Sequence, residues 1–414
     1  MNRVTEETNC RICKGELETI LDLGEMYPSA FVKDGEEPSE EEKVPMVVVK
    51  CKKCGLVQLK HTVDLDILYR QYWYSSSLNK SMINSLQELV REIESRLDLV
   101  NGDTVLDIGA NDGTMLNLYK NFSILNTIAV DPARNLSHPN CTCFINDYFT
   151  ANSYWKYRTK RAKVVTAVAM FYDLPDPTKF VEDVISVLDS NGVFVIQYTD
   201  LCSMLKVNAV DNFCNEHIEY YSFVVVKNLL ESCGLQVIDV SHNDVNGASI
   251  RVTAAFPEVF KVSENVQKEI EEEEKYLTKE TFDGFVRNIE NTKMKVKSFL
   301  VWAKEHKHRV YIMGASTKGN TLLQICGVTN KDCEFASEVN KDKFGLKTVG
   351  SNIRIISEEE ALRKHPDYFL CLPWHFRSSL VSKAGIKDYL NSNGKIVFPL
   401  PEFTVVSSSG EFKL

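Results

Sequence analysis

Apolar residues follow two alternating patterns along this chain: short runs typical of buried strands and longer stretches with helical spacing. Helical spacing extends from about residue 80 to residue 99. Strand-like runs come after it at residues 104–108, 127–130, 163–169, 192–197, 236–240 and 250–255. Strands that alternate with helical stretches indicate a mainly parallel sheet covered by helices on both faces.

The regions on either side of this unit have patterns of their own. Short β-like runs lie at residues 44–50 and 56–59, and a charged helical stretch begins near residue 257. A second series of strand-like runs follows at residues 310–313, 334–339, 368–372 and 395–398. We therefore predict an α/β protein with these parts: a small N-terminal domain (1–75), a Rossmann-like domain (76–256), a helical linker (257–305) and a second Rossmann-like α/β domain (306–414).

The composition is that of an ordinary globular protein, since 44% of the 414 residues are hydrophobic and 25% are charged. A net charge of −9 argues against binding to the phosphate backbone of nucleic acids. No apolar run approaches the roughly 20 residues of a membrane span, and the polar start is unlike a signal peptide. We expect a cytoplasmic protein without a membrane or nucleic-acid partner, and the sequence does not distinguish a monomer from a dimer.

The 12 cysteines divide into two groups. Cys10, Cys13, Cys51 and Cys54 form two Cys-x-x-Cys pairs, and the others are scattered singly, as in reduced compartments. Two residues between thiols let both sulfurs of a turn face one ion, and two such turns supply the four soft ligands of tetrahedral zinc. A redox pair is the alternative, but such pairs usually come singly and open a helix. We predict a structural Zn²⁺ site of the zinc-ribbon type.

Residues 105–114 (Val-Leu-Asp-Ile-Gly-Ala-Asn-Asp-Gly-Thr) combine a strand, a glycine turn and a helix start. Ligands of α/β sheets lie at such a turn, and Gly109 and Gly113 let the backbone approach a ligand closely. Asp131 ends the next strand, where a carboxylate can take both hydroxyls of a ribose. Asp107 would repel the pyrophosphate of a dinucleotide but suits the cationic methionyl part of S-adenosylmethionine (SAM). We predict a SAM site; a nucleotide fold with another ligand is the alternative.

Three further residues complete the predicted cofactor site. Asn111 lies inside the glycine turn, and Met170 follows the strand-like run that begins at residue 164. Asp147 stands where many methyltransferases place an acid near the adenine, although an ordinary turn residue explains it equally well.

Glu216 and His217 lie in a segment with flanking aromatic residues, beyond the predicted strand at 193–197. A carboxylate–imidazole pair suits proton abstraction, because the ordinary pKa of histidine, about 6.5, lies near working pH. A structural histidine is the alternative, and these residues alone do not separate the two.

A second glycine turn, residues 314–321 (Gly-Ala-Ser-Thr-Lys-Gly-Asn-Thr), follows the strand-like run at 310–313. Its main-chain N–H groups and a lysine are suited to a phosphate, so we predict a nucleotide diphosphate site with Ser316, Lys318 and Asn320 as contacts. The spacing of lysine and glycine differs from a Walker A motif.

The order of cysteine pairs, SAM-type turn, Glu-His pair and C-terminal glycine turn resembles the sugar C-methyltransferase family. Members of that family act on nucleotide-linked keto-deoxysugars, and the resemblance covers the chain from Cys10 to about Pro401. It implies a class I SAM-methyltransferase domain between a zinc-ribbon domain and a C-terminal domain that binds the nucleotide sugar. The chain departs from the family's Tyr-His-Glu-His at residues 214–217, which are Cys-Asn-Glu-His, and from its usual Pro-Gly around residues 347–351.

The resemblance also implies roles for particular residues. His217 is the expected base, and the aromatic stretch at residues 72–76 is expected to line the active site. Glu216, Tyr72 and Tyr74 would help to hold the substrate, and we add Trp374 as a further substrate contact.

These patterns predict SAM-dependent C-methylation of a nucleotide-linked keto-deoxysugar. A base removes the proton beside the ketone, and the resulting enolate accepts the methyl group. Because this chemistry needs no metal, the zinc is expected to be structural. The alternatives are an O- or N-methyltransferase of a sugar or other small molecule, a methyltransferase whose zinc ribbon binds RNA, and a non-catalytic scaffold.

Overall fold

The N-terminal part is built mainly of β-strands. The computed structural model describes residues 4–36, 38–78, 80–243, 245 and 248–413. The N-terminal elements are β1 (Val4–Glu6), β2 (Leu17–Met26), β3 (Phe31–Val32), β4 (Val44–Cys51), β5 (Val57–Leu59), β6 (His61–Val63) and α1 (Leu65–Tyr69). β2, β4 and β5 pair antiparallel, and β1 pairs with β6.

The central part contains the predicted alternation of strands and helices. Its elements are α2 (Lys80–Arg96), β7 (Thr104–Ile108), β8 (Asn126–Val130), β9 (Cys143–Ile145), α3 (Ala151–Tyr157), β10 (Ala162–Val168), α4 (Pro177–Val187), β11 (Leu188–Thr199), α5 (Leu201–Lys206), β12 (Glu219–Tyr220), α6 (Phe223–Ser232), β13 (Gln236–Asn243) and β14 (Ser249–Ala255). The sheet order is β9-β8-β7-β10-β11-β14-β13, and β14 runs antiparallel to both neighbours. The parallel strands have the doubly wound order, with the first strand in the middle, which confirms the predicted Rossmann-like fold.

Two helices lead into a second doubly wound sheet. The elements are α7 (Glu264–Tyr276), α8 (Lys279–Glu305), β15 (Val310–Met313), α9 (Thr317–Ile325), β16 (Phe335–Glu338), β17 (Lys347–Thr348), β18 (Arg354–Ser357), α10 (Glu358–Lys364), β19 (Tyr368–Cys371), α11 (Arg377–Ser382), α12 (Ala384–Asn391), β20 (Lys395–Phe398), β21 (Thr404–Ser407) and β22 (Gly410–Lys413). β18-β16-β15-β19-β20 are parallel, again with the first strand in the middle. The glycine turn after β15 therefore lies at the point where the strand order reverses, the usual ligand position of such sheets.

Apolar positions at helical spacing explain how the helices pack. In α2, Met82, Leu86, Leu89 and Ile93 are buried together with Ser85, and the charged residues between them are exposed or half-buried. α8 buries a comparable stripe that includes Ile289, Val296 and Phe299, and the Phe299 ring lies 5.3 Å from the Tyr368 ring of β19. None of the helices in the described ranges is both long and apolar enough to cross a membrane.

The three sheets exchange strands. β12, from the central part, pairs antiparallel with β5 and extends the N-terminal sheet. β3, from the N-terminal part, pairs with β17 and extends the C-terminal sheet. Because β12 closely follows Glu216 and His217 in the sequence, this exchange fixes those two residues between the N-terminal and central parts of the chain.

Candidate active site and zinc centre

The four predicted zinc ligands lie together at one end of the N-terminal sheet. Their sulfur atoms all lie within 4.8 Å of one another, with Sγ–Sγ distances of 3.5 Å for Cys10–Cys54 and 3.4 Å for Cys13–Cys51. Zn–S bonds of about 2.3 Å in a tetrahedron separate sulfurs by about 3.8 Å, so four thiolates in this arrangement fit a closed Zn²⁺ site.

The chain is packed so closely around these cysteines that Gly15 has no room for a side chain. A Cβ at Gly15 would lie 3.1 Å from the Cys51 sulfur and 3.2 Å from the Cys13 sulfur. The main-chain N–H groups of Lys53 and Cys54 point to the Cys51 sulfur at 3.3 and 3.4 Å. N–H groups directed at sulfur stabilise a thiolate, which is the form that binds zinc.

The predicted SAM turn lies at the carboxyl end of β7. Gly109 has φ +71°, and a Cβ there would lie 2.8 Å from Cγ of Met170. Gly113 has φ +75°, and a Cβ there would lie 2.6 Å from Cβ of Pro139. Only glycine fits both conditions at these two positions, so the turn stays narrow and its main chain stays open to a ligand.

Asp107 and Asp131 end neighbouring strands on the same side of this turn. Asp131 accepts hydrogen bonds from the main-chain N–H groups of Asn111 and Ala133, at 2.7 and 2.8 Å. Thr166 donates to Asp107 at 2.7 Å, and burial raises the pKa of Asp107 to about 7, against this hydrogen bond. A buried carboxyl that titrates near neutrality fits a site for a cation.

The aromatic segment after the N-terminal sheet is fixed directly over this turn. The Asn111 side chain accepts from the Ser76 N–H at 2.9 Å and donates to the Tyr74 carbonyl at 3.1 Å. Asp112 accepts from the Ser75 hydroxyl at 2.6 Å. The Asn135 side chain donates to and accepts from the Tyr72 main chain, both at 2.8 Å. The prediction did not include Asp112 and Asn135, although Asp112 stands in the turn motif itself.

Asp147 follows β9, and the side chain of the preceding residue, Asn146, donates to the Asp131 carbonyl at 2.8 Å. The Asp147 side chain is 62% exposed and accepts from the Arg70 guanidinium at 3.0 Å. Arg70 also donates to Asp66, so Asp147 takes part in a surface ion pair between the end of α1 and the central sheet. A contact of Asp147 with the adenine stays a prediction.

A cleft of about 420 Å³ runs between the three parts of the chain. The residues that face it come from each part, and they include Tyr27, Tyr72, Tyr74, Glu216, Ser316 and Val349. Four predicted catalytic or substrate residues thus lie on one surface: Tyr72, Tyr74, Glu216 and Ser316. Within the described ranges, His217, Lys318, Asn320 and Trp374 are not among the lining residues.

Glu216 is buried and lines the cleft, and the neighbouring His217 is half-buried. The His217 ring lies 4.2 Å from the Tyr172 ring, measured between centroids. Burial lowers the pKa of His217 to about 3, helped by the charge of Lys318 and opposed by the Asn212 main chain. Burial also raises the pKa of Glu216, and its Oε2 has no hydrogen-bond partner in the described structure. The pair therefore offers a neutral imidazole and a carboxyl with one oxygen available to a ligand.

The C-terminal site residues divide between the cleft and the domain contacts. Ser316 caps α9 by accepting from the Gly319 N–H at 2.9 Å and lines the cleft. Asn320 is buried and donates to the Ala30 carbonyl at 3.2 Å. Trp374 is buried and donates to Asp211 at 3.0 Å. Asn320 and Trp374 thus hold neighbouring segments in place.

Two residues near Glu216 were not predicted from the sequence. The Tyr69 hydroxyl donates to the Glu216 carbonyl at 2.5 Å. Asp173 is half-buried with its Oδ1 enclosed, and desolvation together with Glu219 and Glu216 raises its pKa well above the ordinary value. The sequence signal available for Asp173 was its position after a strand. Asp173 follows β10, and Asp107 lies in the same way at the end of β7.

The doubly wound sheet, the glycine turn with its buried acids and the four-cysteine cluster define a class of protein: a SAM-dependent methyltransferase with a structural zinc. Sequence models of known families agree. A zinc binding domain matches residues 10–69, a methyltransferase domain matches 78–240, and the C-methyltransferase C-terminal domain matches 244–401.

The chain belongs to the C-methyltransferase family. It is 30% identical over 409 residues to the C-methyltransferase NovU of Streptomyces niveus, covering 96% of this chain and 97% of that protein. SAM is the methyl donor, and C-methylation is the class of reaction.

Solved structures match only in part. A chain of the complex between the Haloferax volcanii Trm112 methyltransferase activator and a methyltransferase has a TM-score of 0.36 at 13% identity, covering 44% of this chain and 95% of that one. Magnesium protoporphyrin IX methyltransferase of Synechocystis PCC 6803 has a TM-score of 0.32 at 9% identity, covering 42% and 79%. The fold assignment rests on the strand order above and not on these matches.

SAM affinity is expected to rise about tenfold between pH 6 and pH 8, as Asp107 loses its proton with a pKa near 7. Below that pKa the carboxyl is neutral, and above it the carboxylate attracts the cationic donor. Calorimetric titration with SAM at several pH values measures this. In Asp107→Asn the affinity should be lower and independent of pH over this range, and an equally pH-independent wild type would contradict the prediction.

Proposed function

We propose that the protein C-methylates a nucleotide-linked keto-deoxysugar. The observation that supports this most directly is the cleft, which brings Tyr72, Tyr74 and Glu216 onto one surface with Ser316 of the second glycine turn. Tyr74 reaches the SAM turn through Asn111, and Ser316 lies at the reversal point of the second sheet. A ligand with a sugar at one end and a nucleotide at the other matches a cleft between two doubly wound sheets.

We propose His217 as the base and Glu216 as its partner in the cleft. His217 would take the proton from the carbon beside the ketone, and the electron pair would move to the carbonyl oxygen as an enolate. The neutral ring of His217 is the form that accepts a proton, and the unpartnered oxygen of Glu216 is suited to a sugar hydroxyl. SAM supplies an electrophilic methyl group, to which the enolate carbon bonds as the carbon–sulfur bond breaks.

The same proposal gives each part of the chain a role. Residues 76–256 would hold the donor, and residues 306–414 would hold the nucleotide through Ser316 and the start of α9. The N-terminal part, with Tyr72 and Tyr74 on the segment that follows it, would cover the sugar and exclude water.

Incubation with SAM and a panel of nucleotide keto-deoxysugars tests the proposed function. We expect a mass gain of one methylene for at least one sugar, with the new methyl signal of the product at a C–CH₃ position in NMR. A product methylated on oxygen or nitrogen would contradict the proposal. Failure of every sugar in the panel, with SAM binding intact, would contradict the substrate class.

A further inference from the structure

Lys318 occupies a position that is unfavourable for a lysine. It is the second residue of α9, at the positive end of the helix dipole, and it is half-buried. Within the described ranges, no hydrogen bond or ion pair joins its ammonium group to another residue. Burial lowers the pKa of Lys318, against the effect of Asp211, Cys214 and Glu216. A partly desolvated, unpaired cation at a helix N-terminus costs stability, so it calls for a functional explanation.

The groups that face Lys318 come from the segment that carries Glu216 and His217. Asp211 and Glu216 oppose the decrease in its pKa, and Lys318 in turn helps to lower the pKa of His217 and of His375. The geometry agrees, since α9, which carries Lys318, packs against residues Val210–Asn212 across the contact between the two Rossmann-like domains.

The same segment presents several buried oxygen atoms without partners. In the described structure these atoms are Oδ1 of Asp211, Oδ1 of Asn212, Oδ1 of Asn215 and Oε2 of Glu216. Buried polar atoms are nearly always paired with protein or water, so several unpaired acceptors on a segment that packs against the helix of the unpaired Lys318 indicate a place for a polar ligand. That ligand must donate several hydrogen bonds and accept one from an ammonium group.

This donor and acceptor pattern does not fit a diphosphate. A diphosphate beside Asp211 and Glu216 would meet carboxyl groups and could not donate to the unpaired acceptors. A keto sugar does fit, since its hydroxyls donate and its carbonyl oxygen accepts. Ser316 and Thr317 line the cleft and remain the residues of the turn that are placed for the diphosphate.

We propose that Lys318 donates a hydrogen bond to the carbonyl oxygen of the keto sugar, while the acceptors of residues 211–216 take the sugar hydroxyls. This inference rests on the proposed function. When the base removes the proton beside the ketone, the electron pair of that C–H bond moves to the carbonyl oxygen, and the Lys318 ammonium stabilises the negative charge. On methyl transfer the carbonyl forms again, so Lys318 undergoes no net change.

The variant Lys318→Met tests the assignment with two readouts. Removing one donor to such an oxyanion lowers turnover by about 10²–10³-fold in other enzymes, and we expect a loss of at least about 100-fold here. Exchange of the sugar proton with D₂O should slow by the same factor. This exchange is measured by NMR with S-adenosylhomocysteine in place of SAM, using a sugar that the wild type methylates in the panel experiment. A primary amine such as ethylamine, added to Lys318→Ala, should restore part of the turnover and part of the proton exchange.

A measurement of nucleotide binding and a measurement of thermal stability separate the proposed role of Lys318 from diphosphate binding and from a structural role. Calorimetric titration with TDP, UDP and GDP should give unchanged affinity in Lys318→Met, and a loss of more than tenfold would assign Lys318 to the diphosphate and overturn the inference. The melting temperature should stay the same or rise, because an unpaired cation is removed; a marked decrease would assign a structural role.

If wild type turns over no sugar, the proposed function fails, whereas normal exchange in Lys318→Met refutes only this inference.

Discussion

His217→Asn and Glu216→Gln should each lower methyl transfer by at least about 100-fold, the usual contribution of a positioned acid or base. Neither side chain contacts the SAM turn through a hydrogen bond in the described structure. The affinity for SAM should therefore change by no more than about twofold. Rapid-quench measurement of methyl transfer, together with calorimetric titration of SAM, separates loss of chemistry from loss of binding.

Exchange of the substrate proton with solvent assigns the base between these two residues. Exchange with S-adenosylhomocysteine in place of SAM needs only the base and the stabilised enolate. Loss of exchange in His217→Asn, with residual exchange in Glu216→Gln, is the result expected if His217 is the base. The reverse pattern would move the role to Glu216, whose pKa is raised by burial and which lines the cleft.

His375 supplies a matched control for His217. Both rings are half-buried beside Lys318, and burial together with Lys318 lowers the pKa of each to about 3. His375 comes from the C-terminal domain and lies outside the lining of the cleft in the described ranges. His375→Asn should keep turnover within about fivefold of wild type, an effect small beside the catalytic contribution of a base. A loss equal to that of His217→Asn would mean that general disturbance of the domain contact, and not removal of a base, lowers the rate.

The main strands and their order could be predicted because apolar runs mark buried strands. The predicted helix from residue 80 is α2, and each predicted run corresponds to a strand of the N-terminal sheet or of one of the two doubly wound sheets. Strands without a marked apolar run were missed, among them β2, β9 and β18, and so were β3 and β12, which have only two residues each. Their pairing depends on how the three sheets meet, which no local pattern shows. The same two strands join the N-terminal part to both other parts.

The site was predictable to the extent that residues follow strands. Asp107 and Asp131 lie at the carboxyl ends of neighbouring parallel strands, so topology alone brings them to one edge of the central sheet, and Ser316 lies at the corresponding edge of the second sheet. The contact of Trp374 with Asp211 was not predictable, because the two residues are 163 positions apart and come from different domains. Glu216 was predicted as a partner of His217, but its place on the cleft surface depends on packing between domains.

Removal of the zinc should strongly destabilise the N-terminal part and, through it, the active site. Cys51 ends β4, which pairs with β5, and β5 pairs with β12 directly after Glu216 and His217. Arg11, inside the first cysteine pair, is buried with its Nε 3.5 Å from Oε1 of Glu219 in β12, and it donates to the Leu59 carbonyl of β5 at 2.8 Å. Because metal binding is coupled to folding, loss of the zinc should release the turn that holds Arg11 against these two strands. The metal-free protein should therefore lose order in the segment that carries its catalytic residues.

Cys51→Ser is the variant for this prediction, and Cys233→Ser is its control, since Cys233 lies outside the cluster. We expect Cys51→Ser to contain less than about one zinc per chain, to melt at a lower temperature and to lose at least about tenfold in methyl transfer. Cys233→Ser should match wild type in zinc content, measured by elemental analysis. Because the predicted SAM turn belongs to the central sheet, SAM binding should decrease less than turnover does. Full activity of zinc-free Cys51→Ser would show that the strand exchange through β12 holds without the metal, and the zinc would then have no part in positioning His217.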